Sequence, residues 1–189
     1  MKQQSKTIQK KVFIGILCSV ILIFLDQFTK YLAVQHLKDQ MPVVLWKNVL
    51  ELSYLENRGA AFGIFQGKQW PLIIFTVIVL ILIIYFYLMR IPAEKHFGLL
   101  NGIAILFFAG AIGNFIDRVT QRYVVDFFYF RLINFPVFNV ADIYVTVAAV
   151  LLILCLLFYK EEDFERILPT KRNHDFCIPL NIHTRMEIL

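Results

Sequence analysis

Four long apolar stretches alternate with shorter, more polar segments along the chain of 189 residues. An α-helix rises about 1.5 Å per residue, so about 20 apolar residues carry it across a hydrocarbon layer about 30 Å thick. The last three stretches meet this length directly, whereas the first reaches it only by continuing through Asp26 and Lys30. The pattern therefore predicts spanning helices over residues 12–34, 70–89, 97–116 and 140–159.

Shorter apolar runs of β-strand character lie between the predicted helices. Region 43–65 contains such runs at 43–46, 50–55 and 60–65, and another run covers 123–130. Short runs rich in Val, Ile, Phe and Tyr that are bounded by turn-forming residues favour strands. We therefore predict an all-α polytopic membrane protein with four transmembrane helices and a small extracytoplasmic β-sheet.

The composition agrees with a membrane protein. Hydrophobic residues make up 59% of the chain and charged residues 17%, whereas about a quarter of residues are charged in soluble domains. The net charge of +5 does not indicate nucleic-acid binding, because Lys and Arg lie at the ends of apolar runs and form no basic patch with interleaved aromatic residues. We interpret residues 1–160 as one membrane domain and 161–189 as a cytoplasmic tail that need not be ordered.

The distribution of positive charge predicts how the chain crosses the membrane. Several lysines precede the first span, and cytoplasmic segments of membrane proteins are enriched in Lys and Arg. No small-residue cleavage site follows the first apolar run, so we expect a retained anchor rather than a removed signal peptide. Both termini are then cytoplasmic, and the ends of spans one and three meet the start of span four at the outer face. The polar residues expected there are Asp26, Asn114, Asp117, Arg118, Asn139 and Asp142.

Cysteine and histidine are poorly placed for metal, disulfide or nucleophilic chemistry. The three Cys are scattered between two apolar runs and the tail, which does not fit a disulfide framework or a zinc site. No two of the four His have the spacing of metal ligands on one helical face. Only His36 is expected at the outer face, where it lies in a loop. We therefore expect neither a metal nor a cofactor.

The acids near the outer face allow structural interpretations as well as catalytic ones. Asp26 and Lys30 lie at positions i and i+4 and fit an ion pair. Asn139 and Asp142 fit a helix N-cap and an acidic partner at the third helical position. Asp117 ends the third span, where the helix dipole disfavours an anion. It therefore needs another partner.

Asp126 stands alone within the apolar run 123–130, and an acid in such surroundings usually has a partner or a raised pKa. Two neighbouring carboxylates cannot both ionise comfortably, so one retains a proton while the other can deprotonate a water molecule. Such a pair indicates an aspartic peptidase, although spacing alone leaves open which acids form it. The alternatives are a small proton-coupled membrane transporter and a structural subunit in which the acids only cap helices.

Five segments together resemble the motifs of the bacterial lipoprotein signal peptidase family, also called signal peptidase II. They are DQFTK at 26–30, NRGAAFG at 57–63, GAIGNFIDR at 110–118, VVDF at 124–127 and FNVAD at 138–142. The resemblance covers about residues 12–160 and implies that Asp126 and Asp142 are the catalytic pair. It also implies roles in substrate binding or site support for Asp26, Lys30, Asn57, Gly110, Asn114, Asp117, Arg118, Asn139 and Ala141.

The resemblance further implies an activity and its partners. The implied enzyme is an intramembrane aspartic endopeptidase, a hydrolase of the bacterial cytoplasmic (inner) membrane. It would remove signal peptides from diacylglyceryl-modified prolipoproteins by cleaving on the N-terminal side of the lipidated cysteine. Its partners would be these prolipoproteins and membrane lipid, with no nucleic acid, metal or cofactor.

Overall fold

The computed structural model describes residues 2–59 and 67–168. Within them the chain forms a helical bundle with a small sheet at one end. The elements in chain order are α1 (Lys2–Leu37), β1 (Val43–Trp46), β2 (Leu50–Asn57), α2 (Gln69–Tyr85), α3 (Gly98–Thr120), β3 (Val124–Phe130), α4 (Val140–Phe158) and α5 (Glu161–Ile167).

In the part of the chain that the structure describes, four helices are long and apolar enough to cross a membrane, which agrees with the predicted number of spans. The first candidate span, Ser5–Leu37, is longer than predicted and includes Asp26 and Lys30. A π-helical turn, Phe86–Arg90, continues α2 before a short link leads into α3. Large apolar side chains such as Ile78 point outward from the bundle, as expected for surfaces that contact lipid.

Helix α3 packs against α1, α2 and α4, and two of its glycines allow the closest approaches. A Cβ atom on Gly110 would lie 2.6 Å from the backbone oxygen of Ala141, which is fully buried on α4. A Cβ atom on Gly113 would collide with the carboxylate of Asp26 on α1. Small residues at such contacts let helix backbones approach closely. They bring the polar ends of α1, α3 and α4 together.

The three strands form one antiparallel sheet in the order β1-β2-β3, which confirms the predicted small sheet. Asn57 pairs with Val124, and Leu55 pairs with Asp126, so the outer strand β3 carries Asp126 beside the end of the central strand β2. The predicted strand run 60–65 lies outside the described residues.

Backbone hydrogen bonds also fasten the start of α4 to β3. The N–H groups of Phe127 and Phe128 both donate to the carbonyl of Phe138, at 3.0 and 2.8 Å. Phe138 N–H donates back to the carbonyl of Phe128 at 2.9 Å. The first residues of α4 are therefore held next to Asp126.

The first part of the predicted tail forms helix α5. In α5, acidic residues occupy the first turn and Arg166 the last, an arrangement that complements the helix dipole. Ile167 is buried against Phe97 at the bundle end opposite the sheet, and Arg90 donates to the carbonyl of Ile167 at 2.7 Å. His96 and Asp163 lie 2.9 Å apart. Residues 169–189 lie outside the described part of the chain.

Candidate active site

The predicted site residues all lie at the end of the bundle that carries the sheet. Asp26 and Lys30 come from α1, and Asn57 ends β2. The remaining residues come from α3 (Gly110, Asn114, Asp117 and Arg118), from β3 (Asp126) and from the start of α4 (Asn139, Ala141 and Asp142). Three transmembrane helices and two strands therefore converge on one polar cluster.

Asp126 is 1% exposed and receives hydrogen bonds from two side-chain amides. Asn57 Nδ2 lies 2.8 Å from its Oδ2, and Asn139 Nδ2 lies 2.6 Å from its Oδ1. Burial and, secondly, the negative charge of Asp142 raise the pKa of Asp126 to about 7, although both amides favour its ionised form. A carboxyl group with such a pKa can exchange a proton near neutral pH.

Asp142 occupies the third position of α4 and forms a capping box with Asn139. Asn139 Oδ1 accepts from the backbone N–H of Asp142 at 3.0 Å, and Asp142 Oδ2 accepts from the backbone N–H of Asn139 at 3.1 Å. The predicted cap is therefore present. The second oxygen of Asp142 is used differently, because Asn114 Nδ2 donates to Oδ1 at 2.8 Å.

Asn139 connects the two acids that the family resemblance selects. Its Nδ2 donates to Asp126, as described above, and also lies 3.1 Å from Oδ1 of Asn114. Its backbone N–H contacts Asp142. Asp126 and Asp142 thus both form hydrogen bonds with Asn139, which is fully buried. The negative charge of Asp142 is also close enough to disfavour ionisation of Asp126.

A layer of charged residues supports this arrangement from α1 and α3. Lys30 Nζ lies 2.9 Å from Asp26 Oδ2 and 3.1 Å from Asp117 Oδ2, and it donates to Asn114 Oδ1 at 2.9 Å. The predicted pair of Asp26 and Lys30 is therefore part of a larger network. Asp117 also accepts from the backbone N–H of Val125 at 3.2 Å. Lys30 and this N–H supply the partners that Asp117 needs at the end of its helix.

Gln27 belongs to this layer, although the sequence analysis did not select it. Its Nε2 lies 3.1 Å from Asp26 Oδ2, 3.0 Å from Asp117 Oδ1 and 3.1 Å from the carbonyl oxygen of Gly113. The available signal was an uncharged polar residue near the end of an apolar span. That signal is weak, because Gln27 is adjacent to Asp26, and neighbouring residues on a helix do not normally face the same side.

A cavity of about 800 Å³ opens beside the two acids. Asn57, Asn114, Arg118, Asp126 and Asp142 contribute polar groups to its wall. Apolar side chains from α4 and from the segment that precedes it line another part, and the end of β2 adds Glu56 and Arg58. This size and mixed lining are typical of ligand sites. Gly110 and Ala141 instead serve the contact between α3 and α4.

Arg118 brings a positive group to the same cavity. Its Nε is buried and has no hydrogen-bond partner within residues 2–59 and 67–168. Among these described residues, no group of three or more His, Cys, Asp or Glu side chains is arranged to hold a metal ion. Among its polar groups, the cavity wall therefore offers the two neighbouring carboxyl groups of Asp126 and Asp142 and the guanidinium of Arg118. In such a pair, the neutral carboxyl group can donate a proton to an oxygen of a substrate, while the ionised carboxylate takes a proton from a water molecule.

Comparisons with known proteins show the family of the chain. The family model described as signal peptidase (SPase) II matches residues 18–158. A lipoprotein signal peptidase of Streptococcus pyogenes serotype M5 (strain Manfredo) is 38% identical over 159 residues, which cover 82% of this chain and 98% of the relative. The same protein from serotype M18 (strain MGAS8232) has the same identity and coverage.

Two solved structures described as bacterial membrane enzymes share the fold. The first has a TM-score of 0.71 and 35% identity, with 77% of this chain and 88% of that chain covered. The second has a TM-score of 0.70 and 34% identity, with 79% and 96% covered. Sequence and fold agree over most of the chain, and the apolar helices make it a multi-pass membrane protein. The chain belongs to the signal peptidase II family of peptidases.

Proposed function

We propose that this chain is an aspartic endopeptidase that removes signal peptides from diacylglyceryl-modified prolipoproteins, cleaving on the N-terminal side of the lipidated cysteine. The observation that carries the catalytic part is the attachment of Asp126 and Asp142 to the single residue Asn139 beside the cavity. Family membership supports the lipoprotein substrate.

In the proposed reaction the two acids share one proton. The ionised acid of the pair takes a proton from a water molecule, whose oxygen attacks the carbonyl carbon of the scissile peptide bond. The acid that carries the shared proton donates it to the carbonyl oxygen. The raised pKa of Asp126, caused by burial and by the charge of Asp142, supports a pair that holds one proton near neutral pH. When the tetrahedral intermediate collapses, the C–N bond breaks, the leaving nitrogen takes the proton that came from water, and a hydroxyl group of the intermediate returns the other proton to the pair.

The cavity supports a substrate that has both a peptide and a lipid part. Ile143 and Val147 line it on α4, a helix with apolar outward surfaces, and this side suits acyl chains. Asn57 and Arg58 line it at the end of β2, where polar groups suit the peptide backbone. In this proposal the β2 segment covers the site from outside the membrane.

The orientation is part of the same proposal. The active site lies at the extracytoplasmic face of the bacterial cytoplasmic membrane, and both termini are cytoplasmic. Lysines before the first span support this orientation, because positive residues are enriched on the cytoplasmic side. The cluster of acids lies at the opposite end of α1 from these lysines.

The test uses the purified full chain in nanodiscs with diacylglyceryl-modified prolipoprotein. Asp126→Asn and Asp142→Asn should each abolish cleavage while keeping the wild-type fold. Asp39→Asn is the matched control, since Asp39 is exposed just after α1 and its positive φ of 59° is tolerated by Asn. Normal cleavage by either dyad variant would refute the catalytic assignment. A wild-type protein that cleaves nothing but carries protons across vesicle membranes would favour the transporter alternative.

A further inference from the structure

Asp26 and Asp117, the two supporting acids, each accept a hydrogen bond from a backbone N–H next to one of the proposed catalytic acids. Asp26 Oδ1 accepts from the N–H of Ala141 at 2.9 Å, one residue before Asp142. Asp117 Oδ2 accepts from the N–H of Val125 at 3.2 Å, one residue before Asp126. A change in the distance between Asp26 and Asp117 should therefore change the distance between Asp126 and Asp142.

Two side chains of α1 connect these supporting carboxylates. Lys30 contacts both and uses its third donor on Asn114. Gln27 Nε2 also contacts both, at 3.1 Å from Asp26 and 3.0 Å from Asp117. Lys30 alone is a single point of attachment on a long, flexible stem. A second attachment fixes the carboxylates in rotation as well as in separation.

Gln27 also satisfies an oxygen that Lys30 does not reach. Within the described residues, Asp117 Oδ1 accepts a hydrogen bond only from Gln27, whereas Oδ2 receives Lys30 and Val125. The same amide donates to the carbonyl of Gly113, the glycine whose position lets α1 approach α3. Without this amide, Asp117 is held through Oδ2 alone, by Lys30 and the N–H of Val125.

We propose that Gln27 is a positioning residue that sets the separation of Asp126 and Asp142. The path runs from Asp126 through Val125 and Asp117 to Gln27, and from there through Asp26 and Ala141 to Asp142. This inference rests on the proposed peptidase function. Gln27 does not line the cavity and acts only through the two supporting acids.

The separation matters because the two acids share a proton. Their mutual repulsion falls with distance, so a wider pair has two apparent pKa values that lie closer together. A displacement of about 1 Å in a catalytic group can cost about 100-fold in rate.

Other charges also face the pair. Lys30 on α1 and Arg118 on α3 act on Asp126, and Glu56 and Arg58 of the β2 segment line the same cavity. None of these is altered in Gln27→Met, which also adds no charge, so a change in the pH profile of that variant reports the geometry of the pair.

The experiment measures kcat, KM and the pH profile for three variants of the full chain in nanodiscs. Gln27→Met keeps the length of the side chain but removes the donor. Gln27→Glu keeps its shape and can donate only when protonated. Gln35→Met is the matched control, because Gln35 is exposed on the same helix.

We expect Gln27→Met to lower kcat by about 10- to 100-fold with KM nearly unchanged. The two apparent pKa values of its profile should lie closer together than those of the wild type. Gln27→Glu should be less impaired at pH 5 than at pH 8, since its protonated form restores a donor. Gln35→Met should match the wild type throughout.

Three results would overturn the inference. A kcat for Gln27→Met within twofold of the wild type would show that the amide is dispensable. A lower kcat with an unchanged interval between the apparent pKa values would indicate a purely structural role. Equal impairment of Gln27→Glu at both pH values would show that no donor is needed. Absence of cleavage by both the wild type and Gln35→Met would instead refute the peptidase function, and the inference with it.

Discussion

The side-chain amide of Asn139 lies 2.6 Å from Oδ1 of Asp126. Both residues are almost completely buried, and the same Asn139 caps α4 through its Oδ1 and its backbone N–H. The side-chain oxygen of Asn139 therefore caps the helix, while its side-chain nitrogen contacts one of the proposed catalytic acids. This division allows the two contributions to be separated by mutation.

Asn139→Ser should keep the helix cap but lose the amide that contacts Asp126. Ser and Asn are both good N-cap residues, so the contribution of the helix cap to stability should be kept. Cleavage should fall by about 10- to 100-fold, because without this contact Asp126 can shift relative to Asp142, and a displacement of about 1 Å in a catalytic group can cost about 100-fold in rate. The measurement compares kcat with the thermal unfolding midpoint in detergent.

Asn139→Ala is the companion variant, since it loses both functions. It should be as impaired as the Ser variant in cleavage and less stable by a further ~1 kcal/mol. If the Ser variant cleaved at the wild-type rate, the Asn139 amide would have no part in the chemistry.

The helices of this fold were predictable because their signals are local and long. An apolar stretch of membrane length identifies α2, α3 and α4 without any tertiary information. Helix α1 extends back to Lys2, beyond the predicted start. The polar residues there favour helices but carry no apolar signal. Helix α5 was missed for a related reason, because a helix this short depends on packing of Ile167 rather than on its own pattern.

The site was predictable only where spacing along one helix was sufficient. The ion pair of Asp26 with Lys30 and the cap formed by Asn139 follow from local rules, and both are present. The contact of Asp126 with Asn57 depends on strand pairing across many residues. The role of Gln27 could not be predicted without knowing how α1 packs against α3. No local rule selected Asp126 over Asp117, and that choice came from the family motifs.

Burial of Asp126 should make stability depend on pH in a defined direction. Its pKa is raised from 3.8 to about 7, so between about pH 4 and pH 7 the folded chain keeps a proton that the unfolded chain has lost. Stability contributed by this group is therefore greatest at low pH and falls as pH rises through this range.

Asp126→Asn should remove this dependence, because the amide is neutral at every pH. We expect the variant to be more stable than the wild type at pH 8, with the difference shrinking toward pH 4. The difference in stability between Asp126→Asn and the wild type is measured by thermal unfolding in one detergent at several pH values, with Asp39→Asn as the control. A difference that stayed constant with pH would show that Asp126 ionises normally in the fold.

Gly110→Ala should separate α3 from α4 at the level of the active site. The added Cβ would lie 2.6 Å from Ala141 O and 2.7 Å from a methyl group of Val145, and the backbone oxygen cannot move without shifting the start of α4. Overpacking of this kind costs about 1–3 kcal/mol. Because Asp142 lies one residue after Ala141, cleavage should fall as well, by about tenfold or more.

Gly102→Ala is the matched control on the same helix. A Cβ at this position would meet no atom within 4 Å, and Ala is favoured over Gly in a helix by up to about 1 kcal/mol. This variant should therefore unfold at the same temperature as the wild type or a higher one, and it should cleave normally. If Gly110→Ala behaved in the same way, the close contact of α3 with α4 would not determine the position of Asp142.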